Sequence, residues 1–457
     1  MRLSGGCLIN LTIDWTEDPL NGKGAYRVDE MDYLFTLFLP EAHRWRRLFV
    51  AIIDYSLMFY VVRRLQSVAA PNLSELSLSD RGEKDPSQVL KPAELEMEHM
   101  LFQSPPGAPM IHEVTLWGVH VDWSSPFLSS NLRKLTLSYH ALDVRPSPQK
   151  FLDILSACRE TLEALRLEDS GPAVKHDEDW GPYVSQKIEL PNLRTLTVAF
   201  VPPKYAGGIF ELLVARNVNE LTLNFEMWDT QAGWNALIRQ ICLGNPGSSG
   251  PMFPALTQLR LLSLPADPIH LGTLLFYYPT ITSLVVDFRY TDDGLLGILG
   301  HPIPQIGVPP SELPGWATAL HSTVAQYHGK PIAEGQSVDE SARREPWLCP
   351  ELRRLKVYGT YGEQVRLLVA RRQEGGVPLK EVLYAHTCSM MLPNRAWLAS
   401  NLEVFEEFMD DEIPEYAEAD EQPEGHEEVE GGEGVDEDEE LVEDEDNGDD
   451  WVRGVHG

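Results

Sequence analysis

The side chains able to do chemistry recur at fixed offsets: Lys134 and Thr136, Arg166, Thr195 and Thr197, Thr222, Gln258 and Arg260, Arg354 and Lys356. Each lies two or four residues after an apolar residue that opens a short alternating run. Hydroxyls, amides, guanidinium and ammonium groups of this kind make hydrogen bonds and ion pairs. Nucleophilic catalysis would need a base beside one of them, and the sequence shows no such arrangement. GxSxG, HExxH, the phosphate-binding loop and GxGxxG are all missing. The thirteen histidines have no metal-ligand spacing, and His43 and His140 read as structural. Asp292-Asp293 reads as a solvated loop. Five cysteines, far apart and without CxxC spacing, indicate neither a zinc site nor a disulfide framework. The expectation is recognition without catalysis, cofactor or metal.

The runs that carry these residues share one frame. In PNLRTLTVAF, residues 191–200, apolar residues fall at Leu193, Leu196 and Val198, which are positions 1, 4 and 6. Alternation at positions 4 and 6 predicts a strand with one face buried. The frame returns from Leu73, Leu132, Leu162, Val218, Leu256, Ile281 and Leu352. Looser copies begin at Leu8, Trp45, Ile111 and Leu379, and the pattern fades at Leu402. Short apolar helices lead into several strands, at 151–158, 208–216, 235–243 and 271–278, so the unit reads as helix, turn, strand. Parallel strands in series need such crossovers.

The frame resembles the strand of a leucine-rich repeat. The fold class expected is α/β: an irregular leucine-rich-repeat solenoid, a curved parallel sheet with helices on its convex side. Positions 3 and 5 would then line the concave surface, and the ten residues named above are the candidate protein-binding set. From 8 to 281 the frames are spaced by 37, 28, 38, 21, 30, 31, 25, 38 and 25 residues, so the array should be uneven. Position 9, where leucine-rich repeats carry Asn, holds none. It is Arg81, His140, Ser170, Val201, Glu226, Leu264, Arg289 or Thr360. A continuous asparagine ladder is therefore not expected there.

Charge and composition set the domain boundaries. Residues 1–299 read as the array, 300–347 as a mobile Pro/Gly-rich insertion with a helix at 316–327, and 348–409 as the final repeats. Residues 410–457 read as a disordered polyacidic tail. From Glu403 onward, 26 acidic residues face only Arg453; that stretch supplies −25 of the formal charge of −33 and leaves −8 elsewhere. Such a balance argues against nucleic acid as partner. Neither a signal peptide nor a membrane span is apparent, so a monomer in the cytoplasm or nucleus is expected. The tail could also fold back onto basic residues of the concave face.

The order AHRWRRL (42–48), helix, APNLSELSLSD (70–80) is similar to the fungal, mushroom-type F-box proteins. In that family an HRW segment follows the F-box and precedes irregular P-N-L repeats. The resemblance covers residues 1–405. It implies the substrate receptor of a cullin–RING ubiquitin ligase, or a paralogue that lost the F-box, with a protein target on the repeats. No F-box run opens this chain, since Leu39-Pro40-Glu41 leads directly into the HRW segment. Binding of the ligase adaptor is therefore expected only if an F-box is encoded upstream of Met1. The acidic tail resembles, as an alternative, acidic leucine-rich proteins that bind basic partners such as histones. It also resembles the fungal activating protein of the Ran GTPase, whose repeat period is more even.

Overall fold

A computed structural model describes residues 6–16, 28–82, 99–129, 131–175, 180–184, 186–225, 231–245, 250–289, 294–303, 315–328, 347–386 and 388–409. These belong to a compact unit, Met1–Asp410; the polyacidic tail lies outside the described residues. Thirteen strands form one sheet: β1 (Ile9–Trp15), β2 (Trp45–Ile52), β3 (Glu75–Asp80), β4 (Glu113–Trp117), β5 (Lys134–Ser138), β6 (Ala164–Glu168), β8 (Thr195–Ala199), β10 (Glu220–Asn224), β11 (Gln258–Leu262), β12 (Ser283–Asp287), β13 (Arg354–Tyr358), β14 (Glu381–Ala385) and β15 (Val404–Phe408). They stand in chain order, and every pair is parallel. The sheet is open rather than closed, and its thirteen strands are the twelve frames and the fading thirteenth of the sequence. Two two-residue strands, β7 (Ile188–Glu189) and β9 (Leu213–Val214), pair apart from it. They are too short for any alternation to announce them.

Position 4 makes one continuous row across the sheet. Leu11, Leu48, Leu76, Val114, Leu135, Leu165, Leu196, Leu221, Leu259, Leu284, Leu355 and Val382 follow one another in register, and all are buried. Full burial of such a side chain stabilises by about 1.5–3 kcal/mol, so this row and its neighbour at position 6 fix the register.

Helices fill most of the crossovers: α1 (Val28–Phe38), α2 (Tyr55–Leu65), α3 (Pro148–Ala157), α4 (Gly181–Val184), α5 (Pro203–Leu212), α6 (Gln231–Leu243), α7 (Pro268–Tyr277), α8 (Gly294–Leu299), α9 (Gly315–His328), α10 (Gly362–Glu374) and α11 (Leu392–Asn401); among the described residues none joins β3 to β4 or β4 to β5. Several start where local chemistry dictates. The Asp267 carboxylate accepts from Ile269 N–H with Pro268 at the first helical position, and Ser147-Pro148 does the same for α3. α2 is capped by Asp54, which accepts from Ser56 N–H; Ser56 itself is inside the helix. α5 starts at Pro203, five residues before the apolar run suggests, because a proline suits that first position.

Between β12 and β13, where the pattern lapses, α9 packs on α7 and buries Ala317, Leu320 and Val324. The expectation of mobility for 300–347 falls otherwise on residues outside those described. The neck of this segment is closed by Arg372 of α10. Its guanidinium is buried and donates to the carbonyls of Leu299, Leu348 and Cys349.

Candidate protein-binding face

Because positions 4 and 6 are buried, alternation sends positions 3 and 5 to the opposite, open face. All ten candidate residues lie there, in two rows set by the register. Lys134, Thr195, Gln258 and Arg354 share the position-3 row with Ala164, Glu220 and Ser283. Thr136, Arg166, Thr197, Thr222, Arg260 and Lys356 share the position-5 row with Val285. Lys134, Arg166, Gln258 and Arg354 are exposed. Thr136, Thr195, Thr222, Arg260 and Lys356 are half-buried, and Thr197, expected on the open surface, is buried between its neighbours in the row.

Their charges are largely answered within the sheet. Lys134 Nζ is 2.8 Å from Glu113 on β4, and Arg354 pairs with Glu381 on β14. Arg166 pairs with Glu168, two residues along its own strand, and Glu168 also accepts from Ser138 Oγ at 2.8 Å. Lys356 Nζ sits 4.0 Å over the Phe408 ring and 5.4 Å from that of Tyr358. Such exposed pairs are individually weak, about 0–1 kcal/mol, but they leave little free positive charge for an anionic ligand. The expected contact of the acidic tail with these cations falls on residues outside those described.

Both ends of the strands carry features the sequence did not flag. At the leading end, Asn72, Asn131, Asn192 and Asn217, each just before position 1, donate their side-chain amides to carbonyls of the preceding repeat. The acceptors are His43, Pro109, Glu160 and Pro191, at 2.7–2.9 Å. The asparagine ladder missing from position 9 is therefore present at the opposite end of the strand. At the trailing end the residue at position 8 turns left-handed: Tyr139 (φ 53°), Asp169 (φ 40°), Phe200 (φ 57°) and Ser263 (φ 50°). The first three donate N–H to Glu168, Ala199 and Asn224 of the next strand at 2.7–2.9 Å. The turn presents Tyr139 and Phe200, ring centroids 5.8 Å apart, beside Trp117 at 4.5 Å from Tyr139, with the Arg81 guanidinium 4.0 Å over Trp117.

A groove of about 380 Å³ lies over β1–β4 of the open face, bordered by Arg47, Phe49, Glu75, Ser77, Glu113 and Thr115. None of these is among the ten candidates, although the frames at Trp45, Leu73 and Ile111 place them by the same rule.

One contact has the polarity of a catalytic dyad. His140 Nδ1 is 2.8 Å from Ser170 Oγ, and Nε2 is 3.2 Å from the Val119 carbonyl. Nε2–H donates to that carbonyl, so Nδ1 accepts from the serine hydroxyl. Ser170 is 0% and His140 2% exposed, so no substrate reaches them and the contact locks the trailing turn. The described residues hold no group of three or more His, Cys, Asp or Glu placed to bind a metal ion. All five cysteines are free thiols; burial pushes Cys158 and Cys349 up to about 12. Among the described residues no helix is long and apolar enough to cross a membrane.

No protein-family model matches the chain. A search of curated proteins likewise found no match.

Proposed function

We propose that the chain is a leucine-rich-repeat solenoid that holds a protein target on the concave face of its sheet, as the substrate receptor of a cullin–RING ubiquitin ligase. The observation that carries this reading is the register. It repeats one inward row of Leu and Val while positions 3 and 5 vary from strand to strand and are mostly polar and at least partly exposed, with Phe49, Val285 and Leu383 among the apolar exceptions and Thr197 and Val285 buried. Solenoids bind through such extended surfaces. The ligase role rests on the HRW-to-PNL resemblance, whose Trp45 is buried at the start of β2 and whose Asn72 ties β3 to the repeat before it. Adaptor binding is expected only of a form that carries an F-box ahead of residue 1. The reading assigns no catalysis, cofactor or nucleic acid, and a cytoplasmic or nuclear setting suits it.

The test is affinity capture from native extract with the full chain and with an Arg166→Glu/Thr222→Arg/Gln258→Glu variant of the open face. A target held by wild type and lost by the variant supports the face. Recovery of cullin and adaptor with an F-box-bearing form, and accumulation of the target when the protein is removed, support the ligase role. Identical captures by wild type and variant refute the face.

A second reading, an acidic-tailed repeat protein that binds basic partners such as histones, is favoured by the charge of −33 and by the carboxylates of the β1–β4 groove. Histone enrichment in the same capture, without ligase subunits, selects it.

A further inference from the structure

The β1–β4 groove has a charge order that a bare sheet would avoid. Arg47, Glu75, Glu113 and Lys134 follow one another in register along the position-3 row. Arg47 Nε is 2.6 Å from Glu75 Oε2, and Lys134 Nζ is 2.8 Å from Glu113 Oε1. The two cations therefore flank the pair, and Glu75 and Glu113 are neighbours in register with no basic residue between them in the row. Like charges directly opposite on neighbouring strands are destabilising, and threonine or serine serves at the equivalent sites of the next row. Each carboxylate already holds one cation but accepts about four hydrogen bonds in all, so an arriving guanidinium would share Glu75 with Arg47 and Glu113 with Lys134. On that adjacent row stand Phe49, a half-buried ring, and the hydroxyls of Ser77 and Thr115.

We propose that this groove takes an arginine side chain of the bound protein. The guanidinium sits between Glu75 and Glu113, with its plane and stem against Phe49 and its remaining N–H groups donating to Ser77 and Thr115. A planar fork of five donors can bridge two carboxylates on strands about 4.8 Å apart, which the compact ammonium of lysine does less well. The groove is large enough for one side chain and too polar for an aliphatic one. This assignment rests on the reading of the open face as protein-binding and names the chemistry of one subsite on it.

The experiment uses the full chain with labelled leucine methyls, since Leu11, Leu48 and Leu76 lie beneath the groove. The probes are the capped pentapeptide Ac-Ala-Ala-Arg-Ala-Ala-NH2 and its citrulline and lysine counterparts. The arginine peptide shifts those methyls saturably, and salt weakens the effect. The citrulline peptide, with the same shape and no charge, binds at least about tenfold more weakly, and lysine falls between. Glu75→Gln/Glu113→Gln abolishes the shift while Leu259 and Leu284 methyls keep their positions, which shows that the variant is folded. Glu220→Gln, on the same face away from the groove, leaves binding unchanged. Equal affinity for arginine and citrulline, no saturable shift with any peptide, or full binding by the double variant overturns the assignment. A captured target that binds the double variant normally but not the open-face variant leaves the protein-binding reading intact and removes this one alone.

Discussion

Arg372 is wholly buried and, among the described residues, meets no carboxylate; three backbone carbonyls supply its counter-dipoles. Burial pulls its pKa down to about 10, which keeps it charged at neutral pH. Replacement by Met leaves those carbonyls without donors, at about 1–3 kcal/mol for each that water cannot reach. Arg372→Met should therefore lower stability by about 3 kcal/mol, read from the urea midpoint. It should also raise hydrogen exchange at residues 299–303 and 347–349, which an effect spread over the whole sheet would not single out. His99 is the opposite case, a buried ring kept neutral. Gln66 Nε2–H donates to its Nδ1 at 2.7 Å, and burial, then Arg63 and His120, hold its pKa below the usual imidazole range. His270 is lowered by burial as well. In both, the unfolded chain takes up the proton first. Their contribution is therefore complete above the ordinary value near 6.5 and is lost as pH falls from there through the folded pKa. Denaturant midpoints measured from pH 7.5 to 5 should decline across that window, and His99→Gln should flatten the decline.

The repeat unit is held at both strand ends by bonds to its neighbour, and the leading-end asparagines are the accessible part of that lattice. Asn192→Ala removes one exposed amide-to-carbonyl bond and should cost about 0.5–1.5 kcal/mol, as should Asn72→Ala. Asn245, outside the ladder, reaches the Phe210 and Leu213 carbonyls at 3.2 and 3.4 Å and serves as the comparison. Much of the element order could be read from the chain, because the Leu193–Leu196–Val198 spacing is a local property that burial enforces in every copy. The asparagine ladder escaped because it was sought nine residues into the frame, whereas these chains bond through the residue before it. The state of the open-face cations escaped for a different reason. Lys134 meets Glu113 and Arg354 meets Glu381 across strands whose sequence separation differs, so each pairing exists only once the register is set. β7 and β9 lay below the threshold of any periodicity, and the Arg372 clasp joins three segments that nothing local connects.

At the scale of the molecule, the outermost described strand, β15, differs chemically from those before it. Glu407 is exposed at position 6 of β15, where most of the other strands bury Leu or Val, and it accepts from His386, Tyr384 and Arg395. Hydrogen bonds from His386 and Tyr384 hold the Glu407 carboxyl below the usual carboxylate range. Its hold on β15 is therefore present above the ordinary carboxylate value and lost as pH falls through the depressed one. Hydrogen exchange should show residues 404–408 opening in acid before β14 does, and Glu407→Gln should open them at neutral pH. The uneven spacing of the repeats has a mechanical consequence. β4 and β5 begin 21 residues apart, at Glu113 and Lys134, while β12 and β13 begin 71 apart, at Ser283 and Arg354. Pulled from its ends, a sheet whose strands lie in chain order yields one strand at a time. At about 3.5 Å per extended residue, those two releases lengthen the chain by roughly 70 Å and 250 Å. A single molecule stretched in an optical trap would thus rupture in unequal strides, each the signature of the loop it sets free.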